Sequence, residues 1–154
     1  MKFVLLRALA LLTTGLLVGA FGYGAANLIP TFHRVSLQMR LEFHTELMRN
    51  NSISMQLTMA VAALSCLALA VVSAHRDRLL AAAATVFVIS SFLITRLGNV
   101  PINHRINDWA RNGVSADYAT LLTRWDIFHF LRTGTALVAF VLIITLVVAA
   151  PRQR

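Results

Sequence analysis

The stretch IFHFLRTGTALVAFVLIITLVVAA, Ile127 to Ala150, decides the fold. It holds one arginine, no acidic residue and a run from Ala136 onward that is almost wholly aliphatic. A helix needs about 20 mostly apolar residues to cross the hydrocarbon layer of a bilayer, and this stretch supplies them. Three more stretches of the same kind precede it: Phe3 to Ile29, Ile53 to Ser73 and Leu79 to Gly98. Four spans predict an all-α membrane four-helix bundle, one domain over residues 1–154, with both termini on the same side.

Composition agrees with that class. The 154 residues are 58% hydrophobic and 13% charged, with a mean hydropathy of +0.71, too apolar for an ordinary soluble domain. The net charge of +8 does not indicate a nucleic-acid partner, because Lys2 is the only lysine and the arginines are scattered rather than clustered on one face. The single cysteine, Cys66, lies in an apolar run, so neither an intramolecular disulfide nor a cysteine-based metal site is available. The expected partners are the lipid bilayer, a lipophilic small molecule and, through Gly15 and Gly19, a second copy of the chain.

The connections differ in character. Ser73 to Arg78 reads as a tight turn, whereas Pro30 to Ser52 and Asn99 to Asp126 read as two longer polar, partly helical loops on the opposite face. Specific structure belongs on that face. Basic residues divide evenly: Lys2, Arg7, Arg76, Arg78, Arg152 and Arg154 against Arg34, Arg40, Arg49, Arg105, Arg111 and Arg124. The second set alternates with Glu42, Glu46, Asp108, Asp117 and Asp126 as if paired in folded structure, so the expectation is cytoplasmic termini in a bacterial inner membrane. Lys2, Arg7, the apolar run and Gly24-Ala25-Ala26 also fit a cleaved signal peptide, but the run is longer than such a segment needs, favouring a retained span. Its Gly15-x-x-x-Gly19 pair, followed by Gly22 and Gly24, suits close helix packing.

Within the polar face, His33, Leu37, Arg40, His44 and Leu47 recur at helical steps, predicting an amphipathic helix over Thr31 to Arg49. If continuous, it separates His33 from His44 by roughly 16 Å along its axis. Asn50-Asn51-Ser52 reads as a cap for the second span. Asn99-Val100-Pro101-Ile102-Asn103 should end the third, since Pro101 lacks an amide proton and restricts Val100, with the asparagines satisfying the freed backbone. Ser91, Thr95 and Asn99 form a polar stripe into that turn, with Arg96 beside it, either snorkelling or facing a pocket. The start of the fourth span brings Tyr118, Leu122, Trp125, His129 and Arg132 onto one helical face, with Asp126 in reach of His129. Polar groups at a membrane boundary usually face the bundle interior, which makes His129 either a proton acceptor, donor or ligand, or a buried structural histidine. A metal held by His44 and His129 with Glu42 or Glu46 is chemically allowed, yet no ligand-spacing motif supports it. His33 and His104 are lesser candidates, His75 in the short turn reads as solvated, and Trp109 reads as an interfacial anchor.

On Asn99-Val100-Pro101-Ile102-Asn103, and on Trp125, His129 and Arg132 opening the fourth span, with Pro30 ending the first, the chain resembles the anthrone oxygenase family of small four-span membrane proteins. The resemblance implies oxidation of a polycyclic anthrone to the quinone with molecular oxygen as co-substrate and no flavin, haem or other organic cofactor. In those terms His129 is the implied base, Arg132 and Asn103 hold the developing oxyanion, and Trp125 stacks on a flat ring, with Asn99, Tyr118, His44 and Arg96 as further substrate-binding candidates. No Gly-rich phosphate loop, paired catalytic carboxylates or nucleophile elbow points to another enzyme class. Two readings therefore stand side by side: a membrane-embedded oxygenase-like protein acting on an aromatic or lipophilic molecule, and a non-catalytic binder or accessory subunit in which Asn99, Asn103, His129 and Arg132 are a structural polar clamp. Geometry separates them: an enclosed cavity facing His129 and Arg132 favours the first, direct pairing of those side chains the second.

Overall fold

The computed structural model describes residues 2–149. It contains four helices long and apolar enough to cross a membrane: α1, Phe3–Phe32; α2, Leu37–Val72; α3, His75–Asn112; and α4, Tyr118–Val148. They pack as an antiparallel bundle in which α1 lies against α2 and α4, and α3 lies against the same two. By length and apolarity this is an integral membrane protein, and among the described residues there is no strand.

The helices overrun the expected spans. At a rise of about 1.5 Å per residue, the 36 residues of α2 extend roughly 54 Å, well beyond a hydrocarbon core of about 30 Å. The polar segments read as long loops are mostly helical extensions at one end of the bundle, leaving only short connections. The cap of α2 is Ser36, whose hydroxyl accepts from the Met39 amide at 3.3 Å, and not Asn50-Asn51-Ser52, which lies inside the helix. α3 stops at Gly113, whose φ of 89° only glycine adopts freely. In the loop that follows, Ser115 donates to Asp117 and holds its carboxyl below the usual carboxylate range, keeping a negative charge at the start of α4.

Pro101 does not end the third span. The five residues before Val100, Thr95–Asn99, form a π-turn in which the Val100 amide bonds the Thr95 carbonyl, and the helix continues through the proline to Asn112. α1 repeats the device: Gly24–Leu28 is a π-turn, the Ile29 amide bonds the Gly24 carbonyl, and Pro30 follows. A proline inside an α-helix leaves a carbonyl without its donor and crowds it; a widened turn just upstream accommodates both problems. The asparagines are thus not needed for the helix end, and their side chains turn to other helices.

Towards the chain termini the core is lined by small side chains, with Ala10, Ala62, Ala81, Ala84, Ala136 and Ala139 all fully or almost fully buried. Close approach of backbones in this way is how membrane helices associate without a hydrophobic driving force between them. The Gly15-x-x-x-Gly19 pair is divided: a Cβ on Gly15 would stand 3.1 Å from the Phe140 ring of α4, whereas one on Gly19 would meet nothing within 4 Å. Both glycines line an apolar groove with Leu11, Leu12, Leu16 and Phe140 on the outside of α1 and α4. The tightest glycines are Gly24 and Gly98, one in each π-turn. A Cβ at Gly98 would stand 2.5 Å from Cγ of Phe128. Gly98→Ala is therefore expected to lower stability by about 1–3 kcal/mol, while Gly19→Ala changes it by less than about 0.5 kcal/mol. Thermal unfolding of the two variants in the same detergent checks the contrast.

Candidate functional site

At the π-turn level α2, α3 and α4 turn polar side chains towards one buried indole, and α1 adds the Phe32 ring. Trp125 is 2% exposed. Its ring meets His44 edge-on at 4.6 Å, His129 at 5.2 Å and Phe32 at 6.4 Å between centroids. The Trp125 Nε1–H donates to Asn103 Oδ1 at 2.7 Å, and the Trp125 carbonyl accepts from Asn99 Nδ2 at 3.0 Å. α4 supplies Trp125 and His129 because a four-residue step returns to the same helical face. α3 supplies Asn99 and Asn103 for the same reason, across the π-turn and proline.

Hydrogen-bond logic settles which atoms are free. An indole N–H can only donate, so the amide atom facing it is the Asn103 oxygen. The same oxygen lies 3.2 Å from His44 Nε2, which must carry the proton. His44 Nδ1 is then a bare acceptor, and it is buried with no partner among the described residues. His44 itself is 1% exposed and stacks on Phe32 at 5.5 Å with 15° between ring planes. His129 is the opposite case. Arg132 Nη2, a donor only, lies 2.6 Å from His129 Nδ1, so Nε2 holds the proton and donates it at 3.0 Å to the Phe21 carbonyl of α1. Both nitrogens are committed.

His129 and Arg132 therefore form a clamp between α4 and α1. The Arg132 guanidinium covers the Phe21 ring at 4.4 Å and reaches Thr95 Oγ1 at 3.5 Å. The imidazole rests on Gly24, where a Cβ would come within 2.6 Å of His129 Cε1 and Nε2. Gly24→Ala is expected to break the His129–Phe21 hydrogen bond and destabilise the bundle by about 1–3 kcal/mol; Gly22→Ala, where nothing lies within 4 Å, is the matched control for a thermal-unfolding comparison. Of the other buried polar atoms without a partner among the described residues, two belong to side chains around Trp125, Asn99 Oδ1 and Arg132 Nε. With His44 Nδ1 they make an acceptor, acceptor and donor set on residues that all bond or pack against Trp125. Buried polar atoms without partners are rare enough that a cluster of them marks a place where a ligand or water is expected.

Asp126 does not pair with His129. Its Oδ1 accepts from Arg40 Nη2 at 3.0 Å and its Oδ2 bonds His33 Nε2 at 2.9 Å, tying α4 to the start of α2 and the end of α1. One position along a helix rotates a side chain by about 100°, which carries Asp126 off the Trp125 face. His33 is not on the helix that carries His44: the chain breaks at residues 33–36 and α2 starts at Leu37. Among the described residues no three His, Cys, Asp or Glu side chains are grouped to hold a metal ion. Glu42 and Glu46 are exposed, one accepting from Gln38 and the other facing Arg49, so the donor set weighed with His44 and His129 is not assembled.

The remaining candidates are dispersed. Arg96 is exposed on the outer face of α3 and does not reach the site. Ser91 donates to the Arg132 carbonyl, completing the Ser91, Thr95 and Asn99 stripe against α4. Trp109 is buried, 6% exposed, among Ile102, Ile106 and Leu122, and is not an interfacial anchor. Tyr118, 37% exposed, stands at the rim of a cavity of about 260 Å³ lined also by Phe32, His33, Arg40 and Leu122. The sequence placed Arg40 on the helical face of His44 without marking it as a site residue, and did not mark Phe32 at all. Arg40 was legible as the neighbour of His44 one turn away on the same face; Phe32 carried no signal, since a phenylalanine at the end of a span is ordinary.

No curated protein and no solved structure matches the chain. A family profile described as "Anthrone oxygenase" matches residues 43–142, which takes in His44, Asn99, Asn103, Trp125, His129 and Arg132. That match spans more than half of the 154 residues, and the chain belongs to the anthrone oxygenase family.

Proposed function

We propose that the protein is a membrane-embedded oxygenase acting on an aromatic or otherwise lipophilic small molecule, with His44 as the base. The observation that carries this reading is the bare, buried Nδ1 of His44, held in one orientation by Asn103 and flanked by the Phe32 and Trp125 rings. A general base needs a free lone pair within reach of an acidic proton, and His129 has none to offer. Family membership supports the reaction class.

The chemistry balances without an organic cofactor. His44 Nδ1 takes a proton from an activated CH₂, the resulting carbanion transfers electrons to molecular oxygen, and a C–O bond forms. The peroxide so produced takes up a proton; loss of the second C–H proton and cleavage of the O–O bond then give the carbonyl and water. Arg132 Nε–H is the remaining donor for a developing oxyanion, and Asn103 is a positioning residue through His44 rather than an oxyanion holder. The decisive assay incubates the purified protein, His44→Gln and His129→Ala with anthrone under oxygen and follows quinone absorbance. Protein-dependent yield that falls to the spontaneous background in His44→Gln supports the proposal; equal yields from wild type and His44→Gln remove it.

A second reading, a non-catalytic binder or accessory subunit, draws on the direct pairing of His129 with Arg132 and with the Phe21 carbonyl, which fills the space between α1 and α4. It expects wild-type protein to give no quinone above background in the same assay.

A further inference from the structure

The cavity beside Arg40 does not touch His44, and one side chain stands between them. Phe32 lines the cavity and also stacks on the His44 ring at 5.5 Å. Arg40 caps the same ring, its guanidinium carbon 5.1 Å from the Phe32 centroid. Phe32 is thus held by an imidazole, an indole edge and a cation, the surroundings that a flat aromatic ring would seek. On its other side the cavity opens past His33, Tyr118 and Thr123, all exposed.

Size gives this arrangement a consequence. At about 260 Å³ the cavity falls below the range of about 300–1,000 Å³ usual for pockets that enclose drug-sized ligands. A two-ring molecule fits in it and leaves Phe32 in place; a three-ring one presses into the space of the Phe32 ring, whose displacement opens the way to His44. Movement is local, because Phe32 is the last residue of α1 and the chain enters the turn at His33. The donor that would greet an incoming oxygen is also present. Arg40 is 5% exposed, spends Nη2 on Asp126, and keeps a buried Nε–H with no partner among the described residues.

We propose that this cavity is the access chamber of the site, that Phe32 is the plug which an incoming ring displaces, and that Arg40 Nε–H receives the ligand's ketone or phenol oxygen on the way. The proposal rests on His44 lying at the end of the path, yet its test reads binding and not turnover. Phe32 is then the specificity-determining residue for ring number, and Arg40 for the oxygen.

Binding is measured without oxygen, by quenching of Trp125 fluorescence in a Trp109→Phe background, with anthrone, anthracene and 1-naphthol as probes. Removing the plug in Phe32→Ala is expected to tighten anthrone about tenfold, the stacking that no longer has to be broken, and to change 1-naphthol less than about twofold. Phe32→Trp, a larger plug, is expected to weaken anthrone and spare 1-naphthol. Arg40→Lys keeps a charge opposite Asp126 but loses the Nε–H, and is expected to weaken anthrone severalfold while leaving anthracene unchanged. Unchanged anthrone binding in both Phe32 variants, or parallel changes for anthrone and 1-naphthol, overturns the plug; equal loss for anthrone and anthracene in Arg40→Lys overturns the oxygen contact. If His44→Gln turns over normally while the Phe32 series behaves as stated, the catalytic reading falls and the access route stands.

Discussion

Asp126→Ala is expected to cost the folded bundle about 3–5 kcal/mol, because it strands the Arg40 guanidinium in the interior without a counter-ion. Arg40 is 5% exposed and Asp126 is 6% exposed, so water replaces the lost partner poorly. His33 also loses an acceptor, but its side chain is 57% exposed and solvent takes over that bond at little expense. The double replacement Arg40→Met with Asp126→Leu is expected to recover most of the loss, since exchanging a whole buried ion pair for apolar side chains of similar volume is often neutral or stabilising. Denaturation midpoints of the single and double variants in one detergent test this directly. Additive losses in the double variant would show that the pair is not coupled and that Arg40 finds its stabilisation elsewhere.

The second large effect concerns the two histidines on either side of Trp125. His44→Gln is expected to lower the rate of quinone formation by about 10²–10⁴, the usual contribution of a positioned general base. The fold survives the change, since the glutamine amide can still donate to Asn103 Oδ1. His129→Ala is expected to do the reverse. It removes the bond to the Phe21 carbonyl and the acceptor for Arg132, lowering stability by about 1–3 kcal/mol, while the rate per folded molecule stays within about tenfold of wild type. Turnover normalised to folded protein, together with unfolding midpoints, distinguishes the two outcomes. A rate collapse in His129→Ala with no loss of stability would return the base role to His129 and leave His44 as packing.

These contrasts depend on atoms that share no local sequence pattern. Periodicity along α4 did place Leu122, Trp125 and His129 on one buried face, and periodicity along α2 did place Arg40 and His44 together. It could not reveal that Asp126, adjacent to Trp125, turns to Arg40 and His33 instead of His129. A three-residue spacing permits a hydrogen bond along a helix, but a buried arginine on a neighbouring helix is the stronger partner for a carboxylate. The prolines show a related limit. Pro30 and Pro101 signalled a disturbance correctly in both places, yet whether a helix ends or absorbs a proline in a π-turn is decided by whether packing on both sides of it still buries apolar surface. Ile102, Ile106 and Trp109 do so beyond Pro101, and the helix continues.

What the amino-acid sequence determined by itself is the membrane class, the four spans and the concentration of polar chemistry at one end, because apolar length and helical period are local properties. Tertiary structure alone decided which glycines are indispensable and which imidazole keeps a free lone pair. Of the glycines that read as a packing run, Gly19 and Gly22 meet nothing, Gly15 meets only the Phe140 ring and Gly24 holds His129 at contact distance; Gly98, outside that run, does the same for Phe128. Each of those outcomes rests on a partner from a distant part of the chain: Phe21 for His129, Asn103 for His44, Arg40 for Asp126. A proton's position on an imidazole follows from the neighbour facing each nitrogen, and only the folded chain supplies that neighbour.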